Sequence, residues 1–178
     1  INAGVGVRGT LEELTLAQWD SAQRINLTSG FLLTRAAMRV FREQGSGGSL
    51  VYIASKNAFG PGVGLGAYDV SKAGMVQLMR MAALEGGDAG IRANAINPEA
   101  VFDNSRIWDD GLSEERAAAH GIAPGDLEDF YASRNLLKRR VTTADVAATA
   151  AFLLSDASSR TTGAVIPVDG GVAGAFPR

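Results

Sequence analysis

The sequence has no cysteine, one histidine and 7% aromatic residues across its 178 positions. Without cysteine there is no disulfide framework and no thiolate metal site, and a lone histidine makes no zinc centre, so no metal is expected. Neither sign of charge is in excess: 17 Lys and Arg face 19 Asp and Glu, a formal net charge of -2. That balance, with a pI near 5.4, leaves no basic footprint for nucleic acid or an anionic membrane. No apolar run approaches the roughly eighteen residues of a membrane span, because glycine, arginine or aspartate breaks each one. The expectation is a soluble, cytoplasmic chain whose 46% hydrophobic content suffices for a sizeable core in one domain. Glycine is the one residue in surplus, at 22.

The opening Ile1-Asn2-Ala3-Gly4 reads as the end of a buried strand running into a turn, so further chain is expected before Ile1. Thr10 with Glu13, and Thr15 with Gln18, match capping boxes. A helical period then runs to about Gln44, apolar at Trp19, Ala22, Ile25, Leu33, Ala37 and Val40. Residues 50–54 are a short β-rich apolar run, a buried strand followed by a glycine-rich loop. A helix over 67–85 and a strand over 92–97, stopped by Pro98, come next. Residues 99–141 are irregular, with helical pieces near 113–120 and 124–134. Thr143 is expected to cap a last helix through Leu154, and 164–168 to form a closing strand before Asp169-Gly170-Gly171. Strands separated by crossovers this long predict a parallel sheet covered on both faces.

Gly62, Gly64 and Ala67 spell a dinucleotide-type G-x-G-x-x-A. Ser55 to Pro61 separate it from the strand, and Asn97 stands where an acid is needed, so a mobile loop over a site is the better reading. The chemistry points elsewhere. Tyr68 and Lys72 are four apart on a helix and within side-chain reach. An adjacent ammonium favours a phenolate, so Lys72 is expected to lower the Tyr68 pKa towards the working range. Thirteen residues upstream, Ser55 ends a strand, where its hydroxyl can hold the same substrate oxygen. The bland alternatives are an exposed helical pair and a strand-end cap; the joint spacing arises by chance at about 0.3%.

Asn2-Ala3-Gly4, Asn26 in Arg24-Ile25-Asn26-Leu27, Ser55, Tyr68-x-x-x-Lys72, Asn97-Pro98 and Asp169-Gly170-Gly171 together resemble the short-chain dehydrogenase/reductases, in that family's order and over essentially the whole chain. The resemblance implies an α/β, Rossmann-type doubly wound parallel sheet. This chain would be its C-terminal half, a partial domain over 1–178, with the pyrophosphate turn lying before Ile1. It makes Tyr68 the acid-base and Ser55 the substrate anchor, with Lys72 on the nicotinamide ribose and Asn26 seating a relay water. Asn26 has a rival reading, a polar residue at a helix irregularity. Asn2, Ala3 and Gly4 would pass the adenosine side, and backbone at Pro98 and Val101 would meet the carboxamide. The implied cofactor is NAD, with NADP open.

Two positions depart from the family pattern: Glu99 replaces a glycine and Asp103 a threonine. Glu99 needs a partner, and an ionised Asp103 cannot donate to the carboxamide. Ala54-Ser55-Lys56-Asn57-Ala58, Asn97-Pro98-Glu99-Ala100-Val101, Ser105-Arg106-Ile107-Trp108, Glu114-Glu115-Arg116 and the tail Phe176-Pro177-Arg178 resemble one branch, the dehydrogenase modules fused to rhamnulose-1-phosphate aldolases. That branch implies oxidoreduction of a small hydroxyaldehyde in rhamnose catabolism, with Lys56, Asn57, Arg106 and Trp108 on the substrate side. A polyol dehydrogenase of another pathway and a non-catalytic oligomerising fragment are the alternatives. His120 reads as a solvated side chain. The helix bearing Tyr68 is apolar nearly all round, which fits a homodimer or homotetramer, or burial under the irregular segment.

Overall fold

The computed structural model describes residues 1–109 and 111–175, so the tail Phe176-Pro177-Arg178 lies outside the described residues. Three β-prone stretches pair in parallel in the order of the chain: β1 (Gly48–Ile53), β2 (Ile91–Pro98) and β3 (Val165–Val168). Leu50 stands beside Ala93, and Ala95 beside Val165. Ile1 adds one rung at the other edge of β1. Its amino group donates to Val51 O at 2.8 Å, and its carbonyl accepts from Ile53 N–H at 2.9 Å, the slanted pattern of a parallel ladder.

The helices are α1 (Leu16–Ala22), α2 (Ser29–Gln44), α3 (Gly66–Gly86), α4 (Leu112–His120), α5 (Leu127–Arg134) and α6 (Thr143–Leu154). Alternation along the strands divides the core. Leu50, Tyr52, Ala54, Ala93 and Ala95 face Met75, Val76 and Met79 of α3, with Phe41 of α2 beside them. Val51 and Ile96, with Ile53, Ile166 and Val168, face Val146, Ala150 and Leu153 of α6. Two crossovers on opposite faces give the expected doubly wound α/β arrangement. Met75 and Met79 are fully buried, each contributing roughly 1.5–3 kcal/mol by leaving water.

The helix boundaries depart from expectation at three places. Thr15 and Gln18 make the expected capping box at the head of α1. The run to Gln44, however, is not one regular helix, because Gln23–Thr28 widen into a π-helical turn between α1 and α2. Thr10 and Glu13 do bond to each other, at 2.8 and 3.1 Å, but close only a turn. At α6 the cap is Thr142, not Thr143: Thr142 Oγ1 accepts from Asp145 N–H, and the Asp145 carboxylate reaches back. Thr143 is the first helical residue, and its N–H and hydroxyl donate to Asp103.

Residues 99–134 carry their own small core. Ala117, Leu127 and Tyr131 are buried, with Phe102, Trp108 and Ile122 packed against them. Phe102 and Trp108 stack with centroids 4.1 Å apart and planes 7° from parallel. Among the described residues no helix is long and apolar enough to cross a membrane.

Candidate active site

The carboxyl ends of β1 and β2 and the first turns of α3 meet at one place, the customary ligand position of an open α/β sheet. Ser55 follows β1 directly and caps the short 3₁₀ turn Lys56–Ala58, its Oγ accepting from Asn57 N–H at 3.2 Å. Tyr68 and Lys72 project from α3 on the face turned towards the sheet. They are 9% and 4% exposed, so they are not an ordinary surface pair. The Lys72 ammonium donates to Ile53 O at 2.9 Å and lies over the Tyr68 ring, 5.6 Å from its centroid.

The electrostatics correct the expectation for Tyr68. Its pKa is pushed up to about 12, chiefly by burial and further by the Asp69 and Glu99 carboxylates, against a lowering hydrogen bond from Ser55. Lys72 is pulled down to about 8, because its ammonium has lost solvent. The lysine does not depress the phenol here. It sits over the ring, directed at a backbone carbonyl, and is itself short of stabilisation. At neutral pH Tyr68 is therefore a neutral phenol, suited to donating a proton.

Asn26 lies in the π-helical turn and is fully buried. Its Oδ1 accepts from Val5 N–H at 2.8 Å, while its Nδ2 donates to Val5 O at 3.0 Å and Ser71 Oγ at 2.9 Å. Both amide protons thus tie the opening segment to α3, and the side chain occupies a helix irregularity as the rival reading held. Asn2, Ala3 and Gly4 are exposed and lie in irregular backbone, with Gly4 beside the Asn26 amide. A Cβ on Gly4 would stand 3.4 Å from Lys72 Nζ and 3.5 Å from Asn26 Oδ1, so the glycine leaves that side of the ammonium open. At the end of β2 the Asn97 side chain is fully buried, with neither Oδ1 nor Nδ2 hydrogen-bonded. Pro98 follows it, half-buried, and Val101 O accepts from Trp108 Nε1 at 2.7 Å.

The residues assigned to the substrate side divide. Lys56 lines a cavity and pairs with Glu99 Oε2 at 3.7 Å, which supplies the partner Glu99 needed. Asn57 is committed elsewhere, its Nδ2 donating to Asp69 Oδ1 at 2.7 Å. The Arg106 side chain is 96% exposed and lies 3.9 Å from Asp109, and Trp108 is spent on the aromatic stack. Asp103 accepts from the N–H and hydroxyl of Thr143 at the start of α6. His120 is not simply solvated: its ring packs 4.5 Å from Phe130, and its Nε2 is buried without a partner.

Asp69 is a residue that the sequence reading missed. Its carboxylate accepts from Gly62 N–H at 2.7 Å as well as from Asn57, so the first glycine of the G-x-G-x-x-A stretch already has its N–H paired with an acid of this chain. The hint was an acid in the first turn of a helix. The loop is held rather than loose, by Gly62, by the Gly9–Leu65 bridge and by Arg116 on Val63 O.

The family model described as Enoyl-(Acyl carrier protein) reductase matches residues 1–173. This chain belongs to the short-chain dehydrogenase/reductase family. It is 40% identical over 177 residues to the uncharacterised oxidoreductase YuxG of Bacillus subtilis, covering 99% of this chain and 26% of that protein. An uncharacterised NAD-dependent oxidoreductase of Mycobacterium tuberculosis is 33% identical over 172 residues, 96% of this chain and 60% of that one. The crystal structure of a levodione reductase superimposes with a TM-score of 0.82 at 34% identity, covering 95% of this chain and 63% of that chain. The chain thus spans less than two thirds of each of these relatives. Members of this family use NAD(P), and the residues present fit such a group: Gly4 leaves space beside the Lys72 ammonium, and Asn97 offers an unpaired amide beside Pro98.

Proposed function

We propose that this chain supplies the proton-handling part of an NAD-dependent dehydrogenase acting on a small hydroxyaldehyde or alcohol, lactaldehyde-like, formed in sugar breakdown. The carrying observation is the buried group of Ser55, Tyr68 and Lys72 where the strands end. Ser55 holds the substrate oxygen by hydrogen bonding, and Tyr68 gives a proton to it in reduction or takes one in oxidation. Lys72 and the segment of Asn2, Ala3 and Gly4 would hold the nicotinamide cofactor, whose contribution when bound is to accept or supply hydride. NAD is favoured by the name of the M. tuberculosis relative. A fused aldolase module is part of this reading through the sequence resemblance alone; YuxG, of which this chain covers 26%, shows only that a relative can be much longer. Phe31, Leu33 and Val40 on α2, with Val70 and Leu84 on α3, leave an apolar surface exposed, which fits a homodimer or homotetramer.

The test is a substrate panel on the full-length protein. Lactaldehyde and several polyols are assayed with NAD and with NADP, and the mass in solution is measured alongside. Turnover of lactaldehyde with NAD, in a dimer or tetramer, is expected. Preference for a larger polyol would move the enzyme to another pathway, and no turnover of any alcohol or carbonyl would end the dehydrogenase reading.

A further inference from the structure

We propose that the cavity lined by Lys56 and Arg134 is an anion subsite, in which these two side chains hold a carboxylate or phosphate on the end of the substrate remote from the reacting carbon. The assignment of the reacting end rests on the function proposed above. The cavity, of about 460 Å³, is large enough for a small polar metabolite. Among its lining residues the side chains able to hydrogen-bond are two cations, Lys56 and Arg134; backbone at Gly60, Pro61 and Gly174 completes the rim. A neutral polyol would find no acceptor side chain there.

The two cations are not equivalent. Lys56 is largely enclosed; its Nζ donates to Gly60 O at 3.4 Å and lies 3.7 Å from Glu99. The buried Glu99 carboxylate thus offsets one positive charge and holds the ammonium at the cavity wall. Arg134, at the end of α5, has its guanidinium over the rings of Phe130 and Tyr131, at 5.6 and 5.5 Å. Its guanidinium makes no hydrogen bond or ion pair with any described residue, although the buried Glu99 carboxylate feels its charge at longer range. A guanidinium stacked by its face keeps its edge donors free, and that edge suits a planar carboxylate or a phosphate. Space agrees with charge. A Cβ on Gly60 would come within 3.1 Å of Gly174 O, so the two loops meet as bare backbone, while a Cβ on Gly174 would touch nothing within 4 Å. Glu99 links the cavity to the candidate site: it pairs with Lys56 at 3.7 Å and is near enough to Tyr68 for its charge to act on the phenol, so the Lys56 end of the cavity is the one turned towards Tyr68.

The consequence is selectivity for charge between substrates of equal size. With the full-length protein, kcat/KM is measured for lactate against 1,2-propanediol and for glycerol 3-phosphate against glycerol, which separates carboxylate from phosphate. At least one anionic member should exceed its neutral partner by about tenfold or more at low salt, with the ratio falling as salt rises. Arg134→Gln should lower that ratio about tenfold, Arg134→Lys less, and Lys56→Gln should lower it too, with melting checked for each. Calorimetry with inorganic phosphate gives a readout free of turnover, in which binding seen in the parent should be lost in Arg134→Gln. Equal kcat/KM within both pairs, or phosphate binding that Arg134→Gln leaves intact, would overturn the subsite even if the enzyme turns over neutral alcohols well. Phosphate binding lost in Arg134→Gln without turnover of any alcohol would uphold the subsite and remove the dehydrogenase reading instead.

Discussion

Helix α3 and residues 99–134 both face the candidate site, but they are held in place by different means. α3 runs for 21 residues and buries Met75, Val76, Met79 and Ala82 against the sheet, so Tyr68 and Lys72 stand on a firmly packed element. Residues 99–134 have two short helices, one aromatic cluster and a few tethers: Trp108 to Val101 O, Arg116 to Val63 O, and Asp103 to the start of α6. The groups proposed to handle the proton thus sit on the element packed across the sheet, whereas Arg134 sits on a segment with a smaller core of its own. Chemistry and selectivity should be separable by mutation.

The largest expected effect is on the α3 side. Tyr68→Phe should lower kcat/KM of the full-length enzyme by about 10²–10⁴-fold. The ring stays, so only hydrogen bonds worth about 0.5–1.5 kcal/mol are lost and the melt should move little. A variant that melts normally and turns over at the parent rate would contradict the division. Lys72→Met should also slow turnover, and it carries a pH signature. Folded Lys72 titrates near 8 against 10.5 for an ordinary lysine. Between those values the unfolded chain binds more protons, so the parent should gain stability with rising pH relative to Lys72→Met, by up to about 1.4 kcal/mol per unit. Melting midpoints of the two proteins from pH 7 to 10 would reveal it; a constant difference would refute the burial of that charge.

Smaller effects are expected across the other region. Trp108→Ala removes the stack on Phe102 and the bond to Val101, for about 1–3 kcal/mol. Faster amide exchange should be confined to residues 100–134, leaving α3 and the sheet protected; acceleration throughout would show the two regions to be one unit. Asp103→Ala should be milder still, lowering the melting midpoint slightly at neutral pH. Hydrogen bonds from Thr143 hold the Asp103 carboxyl below its ordinary range. Its stabilisation is therefore present above the usual carboxylate pKa and fades as pH falls through the depressed one, so the two proteins should converge in acid.

Much of the fold was legible because β1 is a short β-rich apolar run too brief for a helix, Pro98 stops β2, and the apolar stretch of α3 is too long for a strand. Ser55, Tyr68 and Lys72 were legible through spacing alone. What spacing could not convey is direction. Four residues on a helix bring Lys72 within reach of Tyr68, but nothing local says that its ammonium turns to Ile53 O. Thr143 was expected as the cap of α6, but it is the first helical residue and bonds to Asp103, forty positions away in the chain, while Thr142 takes the capping position. Arg134 and Lys56 converge only through the tertiary fold, and no motif announces them. Asp69 was hidden in plain view beside Tyr68, because an acid in a first helical turn usually needs no loop to receive it.

The π-helical turn Gln23–Thr28 sets the phase between the helices that flank it. A widened turn amounts to one inserted residue, and one residue is about 100° of helical rotation. α1 and α2 consequently present their inward faces out of step. Ala22 is buried at the end of α1, while Thr34 on α2 comes round to hydrogen-bond the Tyr52 hydroxyl at 2.7 Å beneath the sheet. Deleting a single residue from the turn would bring the two helices into step. Either Ala22 or Thr34 would then swing away from its partner, and Asn26 would lose its hold on Val5 and Ser71. A conformational irregularity six residues long thereby fixes the rotational setting of a helix more than twice its length.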